Sequence, residues 1–306
     1  MTNHPAIAAN RSAVITGAAS GIGLAAASKF AGLGMKLTLA DANAEALEAA
    51  HDRISKETGR PDDIRSFVID VSRASDVERL RDAAYEAFGD VAVLMNNAAI
   101  GGGGALLGDP DRWHRILDVN LWGVINGVQA FAPAMVRQTE PSAIINTGSK
   151  QGITTPPGDT AYNVSKAGIK VVTEALAHDL RNIEGCRVSA HLLIPGFTFT
   201  GLTAAAGAPK PAAAWTPEQV VEFLLASMAA GDFYILCQDN DVTRDMDEHR
   251  ILWAAEDIIE NRPALSRWHP DYKAAFAEFM KAGSARRQSS EATSLRLESK
   301  SSARFE

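Results

Sequence analysis

Tyr162 and Lys166 lie four residues apart, so on a helix they would share one face. A free tyrosine hydroxyl has a pKa of about 10, which is too high for a useful base near neutral pH. An ammonium about 4 Å away, at an effective dielectric of about 20, contributes on the order of 4 kcal/mol and can lower that pKa by up to about three units. A tyrosine tuned in this way can exchange a proton with an alcohol or a ketone. The spacing alone is a weak signal, because a packed tyrosine beside a solvated lysine gives the same pattern.

The elements that must position this pair alternate between short apolar runs and longer amphipathic ones. The apolar runs, which we interpret as strands, cover residues 13–16, 36–40, 65–69, 91–95, 143–146, 188–194 and 233–236. Helices are expected at 21–33, 43–56, 75–88, 110–137, where Pro133 bends or ends the helix, and 160–181. This alternation predicts an α/β fold with a doubly wound, Rossmann-like parallel sheet of about seven strands. Such sheets bind ligands at the carboxyl ends of their strands.

The composition is that of a globular protein and argues against several functions. Of the 306 residues, 46% are apolar and 22% are charged, and the net charge is −7, which gives no electrostatic reason to bind nucleic acid or an anionic membrane. An apolar run of about 18 residues and an N-terminal secretory signal are both missing from the sequence, so we expect a cytoplasmic location. Cys186 and Cys237 are expected in strands as reduced core thiols, and the scattered histidines predict no metal site.

A glycine-rich turn follows the first predicted strand, between Thr16 and Gly23. Its three glycines allow a tight turn, close approach of the backbone to a pyrophosphate, and close packing of the helix on the strand. Free amides at the helix N-terminus favour the same anion. The turn therefore predicts a dinucleotide site, formed by Gly17, Ser20, Gly21, Ile22 and Gly23.

Asp41 ends the second predicted strand. A carboxylate there accepts hydrogen bonds from the ribose hydroxyls of NAD and repels the 2′-phosphate of NADP. The glycine turn holds no Arg or Lys to neutralise that phosphate, so we predict NAD as the cofactor. The alternative is that Asp41 caps the next helix, a role that Asn43 can also fill. Further cofactor contacts are expected after strands three and four, although these are also typical turn residues: Asp70, Val71, Asn97 and Ala98.

Two segments depart from the alternation. Residues 197–215 are rich in Ala, Gly, Thr and Pro, and we interpret them as a lid over the site, the alternative being a plain flexible loop. Residues 284–306 hold few large apolar side chains and are predicted to be a disordered tail. The residues expected either to line an apolar pocket or to pack under the loop are Leu106, Leu107, Phe197, Leu202 and Trp215.

Together with Asn120, Ser149 and the Pro195-Gly196 pair, these motifs resemble the short-chain dehydrogenase/reductase family over roughly residues 10–240. The resemblance implies that Tyr162 is the catalytic acid/base, and that Lys166 lowers its pKa and holds the nicotinamide ribose. It implies that Ser149 orients the substrate oxygen and that Asn120 supports a water and proton relay, unless Asn120 is simply satisfied inside its helix. The contacts implied for the nicotinamide carboxamide come from Pro195, Gly196, Thr198 and Thr200.

The TGxxxGxG form of the glycine turn is similar to that of the compact, NAD-preferring single-domain branch. It implies one domain over residues 1–283, in which 241–283 form a helical extension with helices near 243–260 and 271–281. Ala99 departs from the usual final glycine of an NNAG motif, at little cost if its φ is negative. A Val-Asp-Gly-Gly-like segment does not follow strand seven, which puts the usual tetramer contact in doubt and leaves a homodimer or a homotetramer as the expectation.

The leading hypothesis is an NAD-dependent oxidoreductase that interconverts a secondary alcohol and a ketone by hydride transfer, with a hydrophobic or aromatic substrate. The alternative enzyme is an NADP-dependent 3-oxoacyl-thioester reductase, against which Asp41 argues. An alternative of another class is a non-catalytic NAD(H)-binding regulator. Such a protein would have little reason to keep Ser149, Tyr162 and Lys166 together.

Overall fold

Seven parallel strands form a single sheet in the computed structural model, which describes residues 3–204 and 207–282. The strand order is β3-β2-β1-β4-β5-β6-β7. The strands are β1 (Ser12–Thr16), β2 (Lys36–Asp41), β3 (Ile64–Val68), β4 (Val93–Asn96), β5 (Ser142–Thr147), β6 (Val188–Ile194) and β7 (Tyr234–Leu236). The predicted α/β fold with a doubly wound parallel sheet is therefore confirmed.

Helices connect the strands and cover both faces of the sheet. They are α1 (Gly21–Gly32), α2 (Ala44–Thr58), α3 (Ala74–Phe88), α4 (Pro110–Leu117), α5 (Gly123–Met135), α6 (Gln151–Thr154), α7 (Thr160–Arg181) and α8 (Pro217–Ala230). Alternate side chains of a strand point to opposite faces of a sheet, and in β1 Ile15 packs into one core cluster while Val14 packs into the other. All the residues of β1 and β5 are buried, and the centres of the two strands, residues 13–15 and 143–145, are entirely apolar.

The predicted long helix over residues 110–137 is interrupted well before Pro133. A single π-helical turn, Asp118–Trp122, separates α4 from α5. Gly123 follows this turn, and a Cβ there would lie 2.7 Å from Cγ2 of Val71, so the helix approaches the loop after β3 very closely. Pro133 lies inside α5, and the helix ends two residues later at Met135. Long-range packing, which the sequence pattern does not show, therefore decides where this helix is distorted.

The contacts divide the chain into two compact units, Met1–Asn240 and a second unit that begins at Asp241. The second unit contains α9 (Arg244–Ile259), and residues 273–282 are helical as well. Its Trp253 is buried, donates a hydrogen bond to Ser266 Oγ at 2.7 Å, and has the Arg262 guanidinium 3.9 Å from its ring centroid. The organisation as one domain with a helical extension stays a prediction, and residues 284–306 lie outside the described residues.

Several expected features can be compared directly with the structure. Cys186 precedes β6 and Cys237 follows β7, so neither lies in a strand, and both are free thiols. Across residues 3–204 and 207–282, no His, Cys, Asp or Glu side chains gather in a group of three or more that could hold a metal ion. In the same part of the chain, no helix combines the length and the apolar character needed to cross a membrane.

Candidate active site

A cleft of about 920 Å³ opens at the carboxyl ends of the central strands. The strand order reverses between β1 and β4, and ligands of doubly wound sheets bind at this kind of switch point. Gly23 and Asn120 are predicted site residues that do not line the cleft. Those that do line it are Gly17, Ser20, Gly21, Ile22, Asp41, Asp70, Val71, Asn97, Ala98, Ser149, Tyr162, Lys166, Pro195, Gly196, Thr198 and Thr200.

The glycine turn between β1 and α1 has the close contacts that its sequence predicts. Gly17 has a φ of +66°, and a Cβ there would lie 2.8 Å from Cα of Ala98. Gly23 lies in the first turn of α1, outside the cleft lining, and a Cβ there would lie 2.1 Å from the carbonyl oxygen of Gly17. Gly23 therefore allows the helix to pack against the turn, while Gly17 and Gly21 give the turn its shape at the cleft.

Asp41 lines the cleft and also braces the glycine turn. Its Oδ2 accepts a hydrogen bond from the backbone N–H of Ala19 at 3.1 Å, and its Oδ1 accepts one from Asn43 N–H at 3.0 Å. The cap of α2 is Asn43, whose side chain accepts from the N–H of Ala46 at 3.1 Å. The structure thus gives the capping role to Asn43 and leaves the Asp41 carboxylate at the cleft wall.

Asn97 ties the ends of three strands together beneath the cleft. Its Nδ2 donates to the carbonyl of Gly17 at 3.4 Å, after β1, and its backbone N–H donates to Thr16 Oγ1 at 3.0 Å. Its Oδ1 accepts from Thr147 Oγ1, at the end of β5, at 3.3 Å. The side chain therefore acts as a brace, and the neighbouring Ala98 presents backbone to the cleft. Ala99 does not have a positive φ, so its departure from a glycine carries no backbone strain.

Asp70 and Val71 form the wall after β3. The Asp70 carboxylate is engaged locally, because its Oδ1 accepts from the N–H of Ser72 at 3.0 Å and from Ser72 Oγ at 2.7 Å. The carbonyl of Val71 accepts from Asn126 Nδ2 at 2.9 Å, which fixes this loop to α5. The Asp70 side chain thus organises the loop, and Val71 offers an apolar surface to the cleft.

Tyr162 lies on α7 and lines the cleft together with Ser149, which follows β5. Burial raises the pKa of Tyr162 above its ordinary value of 10, the neighbouring Ser149 hydroxyl lowers it, and the nearby Asp159 carboxylate raises it. Taken together, these effects raise the pKa of Tyr162, whereas the sequence led us to expect a lowered pKa. The reason is that burial of the hydroxyl, which disfavours the phenolate, is the largest effect.

Lys166 is fully buried one turn further along α7, with its Nζ 5.5 Å from the centroid of the Tyr162 ring. The Nζ donates a hydrogen bond to the carbonyl of Thr147 at 2.9 Å. Burial lowers the pKa of Lys166 from 10.5 to about 7. The lysine therefore lies on the same helix face as the tyrosine, as the spacing predicts, but a large part of its population is neutral at neutral pH.

Asn120 lies in the π-helical turn and is completely buried. Its Oδ1 accepts from the N–H of Ile100 at 2.8 Å, and its Nδ2 donates to the Ile100 carbonyl at 2.9 Å and to Ser165 Oγ at 3.3 Å. These hydrogen bonds hold the π turn against the segment after β4 and against α7. The Asn120 amide is therefore hydrogen-bonded to structural partners. This matches the alternative in which Asn120 has a structural role in place of a role in a proton relay.

Gly152 brings α6 into backbone contact with α7. A Cβ at this position would lie 2.4 Å from the carbonyl carbon of Lys166. Because α6 follows Ser149 almost directly, this contact fixes the main chain of Lys166 relative to that serine. A glycine is therefore required at position 152 for the hydroxyl, the phenol and the amine to meet.

The segment over residues 197–215 closes on itself at its two ends. The N–H of Phe199 donates to the carbonyl of Trp215 at 2.9 Å, and the N–H of Trp215 donates to the carbonyl of Phe197 at 2.9 Å. Phe197 and Leu202 line the cleft, whereas Trp215 is buried in the core against Phe223. Leu106 and Leu107 were expected either to line the pocket or to pack under the loop, but they are 66% and 97% exposed and do not line the cleft. The interpretation of this segment as a lid stays a prediction, and residues 205 and 206 lie outside the described part of the chain.

Sequence reasoning missed four polar groups near the cleft. The Asp159 carboxylate accepts from the N–H of Gly104 at 3.0 Å and raises the pKa of Tyr162. The other three are the Thr147 carbonyl beneath Lys166 and the ion pair of Lys150 with Asp239. For Lys150, the sequence signal that could have indicated a place near the site was its position directly after Ser149 in the chain.

Comparison with known proteins agrees with this geometry. A family model described as short chain dehydrogenase matches residues 11–211. A 1-deoxy-11-beta-hydroxypentalenate dehydrogenase from Streptomyces exfoliatus is 31% identical over 264 residues, which cover 84% of this chain and 94% of that protein. The chain belongs to the short-chain dehydrogenase family, and it is an oxidoreductase with an NAD(P)-binding Rossmann-type fold.

Two solved structures show which cofactors its relatives bind. A short chain dehydrogenase/reductase from Burkholderia phymatum in complex with NAD is 34% identical, with a TM-score of 0.74, covering 84% of this chain and 96% of that chain. An alcohol dehydrogenase from the archaeon Thermococcus sibiricus, complexed with 5-hydroxy-NADP, is 27% identical, with a TM-score of 0.64, covering 70% of this chain and 88% of that chain. The relatives therefore include proteins bound to NAD and to an NADP derivative.

The residues of the cleft fit such a dinucleotide. At Gly17 and Gly21 a side chain would collide with Ala98 or press on Thr200, so the glycines keep the turn open for a close ligand. The backbone amides at the start of α1 lie beside this space and suit a pyrophosphate. The cleft continues from there to Ser149 and Tyr162, so one elongated ligand can reach from the turn to the phenol.

Proposed function

We propose that the protein is an NAD-dependent oxidoreductase that interconverts a secondary alcohol and a ketone. The observation that carries the proposal is the placement of the Ser149 and Tyr162 hydroxyls together at one end of a cleft whose other end holds the glycine turn and Asp41. Two neighbouring hydroxyls of this kind can hold one substrate oxygen between them. A bound nicotinamide dinucleotide would supply or accept the hydride at that oxygen's carbon.

The preference for NAD is inferred from Asp41. Its carboxylate lies at the cleft wall, and both of its oxygens are held by backbone N–H groups of Ala19 and Asn43. A carboxylate fixed in this way has little freedom to swing away from a 2′-phosphate, so NADP would be repelled. The ribose hydroxyls of NAD can donate hydrogen bonds to the same oxygens. These contacts favour NAD over the NADP-dependent thioester reductase considered above.

Tyr162 is the proposed proton donor and acceptor. Its raised pKa keeps the hydroxyl protonated at neutral pH, so the phenol is ready to give a proton to a ketone oxygen. Oxidation of an alcohol needs the opposite state of the tyrosine, the phenolate, which becomes more populated as the pH rises. Ser149 is proposed to donate a hydrogen bond to the substrate oxygen and to stabilise the negative charge that develops on it.

Lys166 is proposed to hold the nicotinamide ribose and to favour the phenolate when its own amine is protonated. Its Nζ is anchored by the Thr147 carbonyl, which points the amine into the cleft floor beside the tyrosine ring. Asn120 is proposed to act by position, because its side chain holds the π turn and the segment after β4 in place beneath the site. Pro195, Gly196, Thr198 and Thr200 are the proposed contacts of the nicotinamide carboxamide.

The substrate is proposed to be hydrophobic, or aromatic, with a secondary hydroxyl or a keto group. Phe197, Leu202 and Ile100 line the reaction end of the cleft and offer apolar contacts. The Streptomyces exfoliatus relative is named for a hydroxyl on a pentalenate, which supports a hydroxyl-bearing substrate for this chain as well. The protein is further proposed to be cytoplasmic and to form a homodimer or a homotetramer. Light scattering on the purified chain would measure the oligomeric state.

The test is an initial-rate screen of secondary alcohols (aliphatic, aryl, steroid and sugar) with NAD and with NADP. We expect activity with at least one hydrophobic alcohol and a higher kcat/KM with NAD. In Tyr162→Phe we expect kcat to fall by about 100- to 10,000-fold, the range that general acid–base catalysis contributes.

Tyr234→Phe is the matched control, because that tyrosine lies on β7 outside the cleft and should keep wild-type rates. Activity of Tyr162→Phe within threefold of wild type, in a folded protein, would rule out the proposed mechanism. Tight NADH binding without turnover of any alcohol in the panel would instead favour the non-catalytic regulator.

A further inference from the structure

A buried ion pair lies directly behind the reaction end of the cleft. Lys150 Nζ is 3.4 Å from Asp239 Oδ2, and the two side chains are only 16% and 6% exposed. Lys150 follows Ser149 in the turn after β5, and Asp239 lies just beyond β7. The pair therefore links two strand ends that are not neighbours in the sheet, since β6 lies between them.

The chain that leaves β6 passes between these two anchors. The backbone N–H of Lys150 donates to the carbonyl of Pro195 at 3.3 Å, and the N–H of Phe197 donates to Asp239 Oδ2 at 3.3 Å. The Asp239 oxygen that faces the ammonium thus also receives a backbone donor. Lys150 and Asp239 together hold Pro195–Phe197 from both sides.

Gly196 is the residue that makes this contact possible. A Cβ at this position would lie 2.8 Å from Lys150 Nζ and 2.8 Å from Asp239 Oδ2. The main chain therefore packs directly on the two charged atoms, and no side chain separates them. Gly196 has no positive φ, so the requirement for glycine here comes from close approach and not from backbone conformation.

We infer that Lys150 and Asp239 are positioning residues for the proposed reaction: their ion pair fixes Pro195–Phe197 at a set distance from Ser149. This inference rests on the proposed function, in which that segment contacts the nicotinamide and Ser149 holds the substrate oxygen. A buried ion pair is directional and costs desolvation, so it defines a geometry more sharply than apolar packing at the same place. Rates of transfer between two bound reactants depend steeply on such geometry, and a misplacement of about 1 Å can cost about 100-fold.

The test compares Lys150→Met and Asp239→Asn with wild type in two measurements. The first is hydrogen–deuterium exchange of a peptide that covers residues 195–200, measured without any substrate. We expect exchange at this peptide to become about tenfold faster in both variants, because the N–H of Phe197 loses its fixed acceptor. The second is steady-state kinetics, in which kcat should fall about 10- to 100-fold while the NADH dissociation constant changes by less than about threefold.

Two further variants keep the inference testable if loss of one charge prevents folding. Lys150→Arg retains a cation and should recover most of kcat, whereas Gly196→Ala keeps both charges but forces them apart and should match Lys150→Met. The matched control is Lys170→Met, on the exposed side of α7 beside Glu174, which should change neither measurement. A double variant, Lys150→Met with Asp239→Asn, should be no slower than the worse single variant, because the two residues act as one unit.

Unchanged exchange at residues 195–200 would overturn the inference. Faster exchange with kcat within threefold of wild type would overturn it too, because the pair would then be structural only. Faster exchange together with a kcat loss at constant NADH affinity would support it. A wild-type protein that oxidises no alcohol in the screen would mark a failure of the proposed function, and the exchange comparison would still decide whether the ion pair holds the segment.

Discussion

The two ends of the cleft are built by different means. At the nucleotide end, Gly17 and Gly21 present backbone to the cleft, Gly23 lets the helix pack behind them, and the carboxylate of Asp41 adds charge. At the reaction end, Tyr162 and Lys166 are buried ionisable side chains whose protonation depends on everything packed around them. Backbone shape is encoded by a few glycines at fixed spacing, whereas a protonation state is encoded by the whole neighbourhood. A mutation should therefore disturb the nucleotide end mainly by adding side-chain volume. It should disturb the reaction end mainly by changing a charge.

After the loss expected for Tyr162→Phe, the largest effect should come from removing the buried amine. In Lys166→Met we expect kcat to fall about 100- to 1,000-fold, the range seen when one preorganised polar donor is removed from an active site. Lys170→Met changes the same residue type one turn away on α7, where the amine pairs with Glu174 in partial exposure, and should keep wild-type kcat. Steady-state rates with the best alcohol of the screen measure both. Equal rates for the two variants would show that burial at position 166 has no catalytic purpose.

Volume at the nucleotide end should have the next largest effect. In Gly23→Ala the new methyl group would overlap the Gly17 carbonyl, which it approaches to 2.1 Å, so the turn must shift. Overpacking of this kind costs about 1–3 kcal/mol, and we expect NADH to bind about tenfold more weakly or worse.

Gly32→Ala is the control on the same helix, because nothing lies within 4 Å of the Cβ that would be added. It should leave NADH affinity unchanged and stabilise the protein by about 0.4–1 kcal/mol. Fluorescence titration and thermal unfolding measure the two quantities. If both glycines tolerate alanine equally, the turn is not shaped by backbone contact.

Charge at the nucleotide end should have a smaller effect. In Asp41→Ala the repulsion of a 2′-phosphate disappears, and we expect the ratio of kcat/KM for NAD over NADP to fall about tenfold, equivalent to about 1.4 kcal/mol. Asp52→Ala removes an exposed carboxylate from α2 and should leave the ratio unchanged. A ratio that stays the same in both variants would remove Asp41 from the account of cofactor choice.

Burial also shifts pKa values far from the cleft, where His4 and His191 both contact Ser189. Their ring centroids are 5.4 Å apart, Ser189 Oγ lies 3.3 Å from His4 Nε2 and 2.9 Å from His191 Nε2, and the carbonyl of Asp232 lies 2.8 Å from His191 Nδ1. Burial, and then the charge of His191, lower the pKa of His4 from 6.5 to about 4. Burial also lowers the pKa of His191, although its contact with Asp232 partly opposes the shift.

The smallest predicted effect is on the pH dependence of stability. Because both pKa values are lowered by folding, the unfolded chain binds protons more readily, so stability is full above pH 6.5 and is lost as the pH falls towards about 4. His4→Gln should flatten this decline in the thermal unfolding midpoint, whereas His51→Gln, on the surface of α2, should leave its slope unchanged. A wild-type midpoint that does not change between these pH values would show that burial leaves the imidazoles free to protonate.

The difference between the two ends also explains which structural features could be predicted from the sequence. The strands and the glycine turn follow from local patterns, so β6 and α7 were predicted with the bounds that the structure shows. The distortion at Asp118–Trp122 depends on contacts of Gly123 and Asn120 with distant segments, and no local pattern shows it.

At the reaction end, the roles of the site residues stay predictions, and the expected direction of the tyrosine pKa shift was wrong. The spacing of Tyr162 and Lys166 predicts their shared helix face, but the expected fall in the tyrosine pKa assumed a charged, adjacent ammonium. Burial, which is a property of the packed structure, raises the pKa of Tyr162 and lowers the pKa of Lys166, so it favours the neutral form of both groups. The Lys150–Asp239 ion pair joins residues 89 positions apart, a distance over which a single sequence gives no signal.

The backbone contact at Gly152 has a practical consequence for protein engineering. A mutagenesis library aimed at new substrates would ordinarily randomise every position near the serine, including this one. Any side chain at position 152 would push the Lys166 main chain away, so those library members would be inactive whatever else they carry. Diversity is better placed at Phe197 and Leu202, whose side chains face the cleft and whose backbone supports none of the proposed acid–base residues.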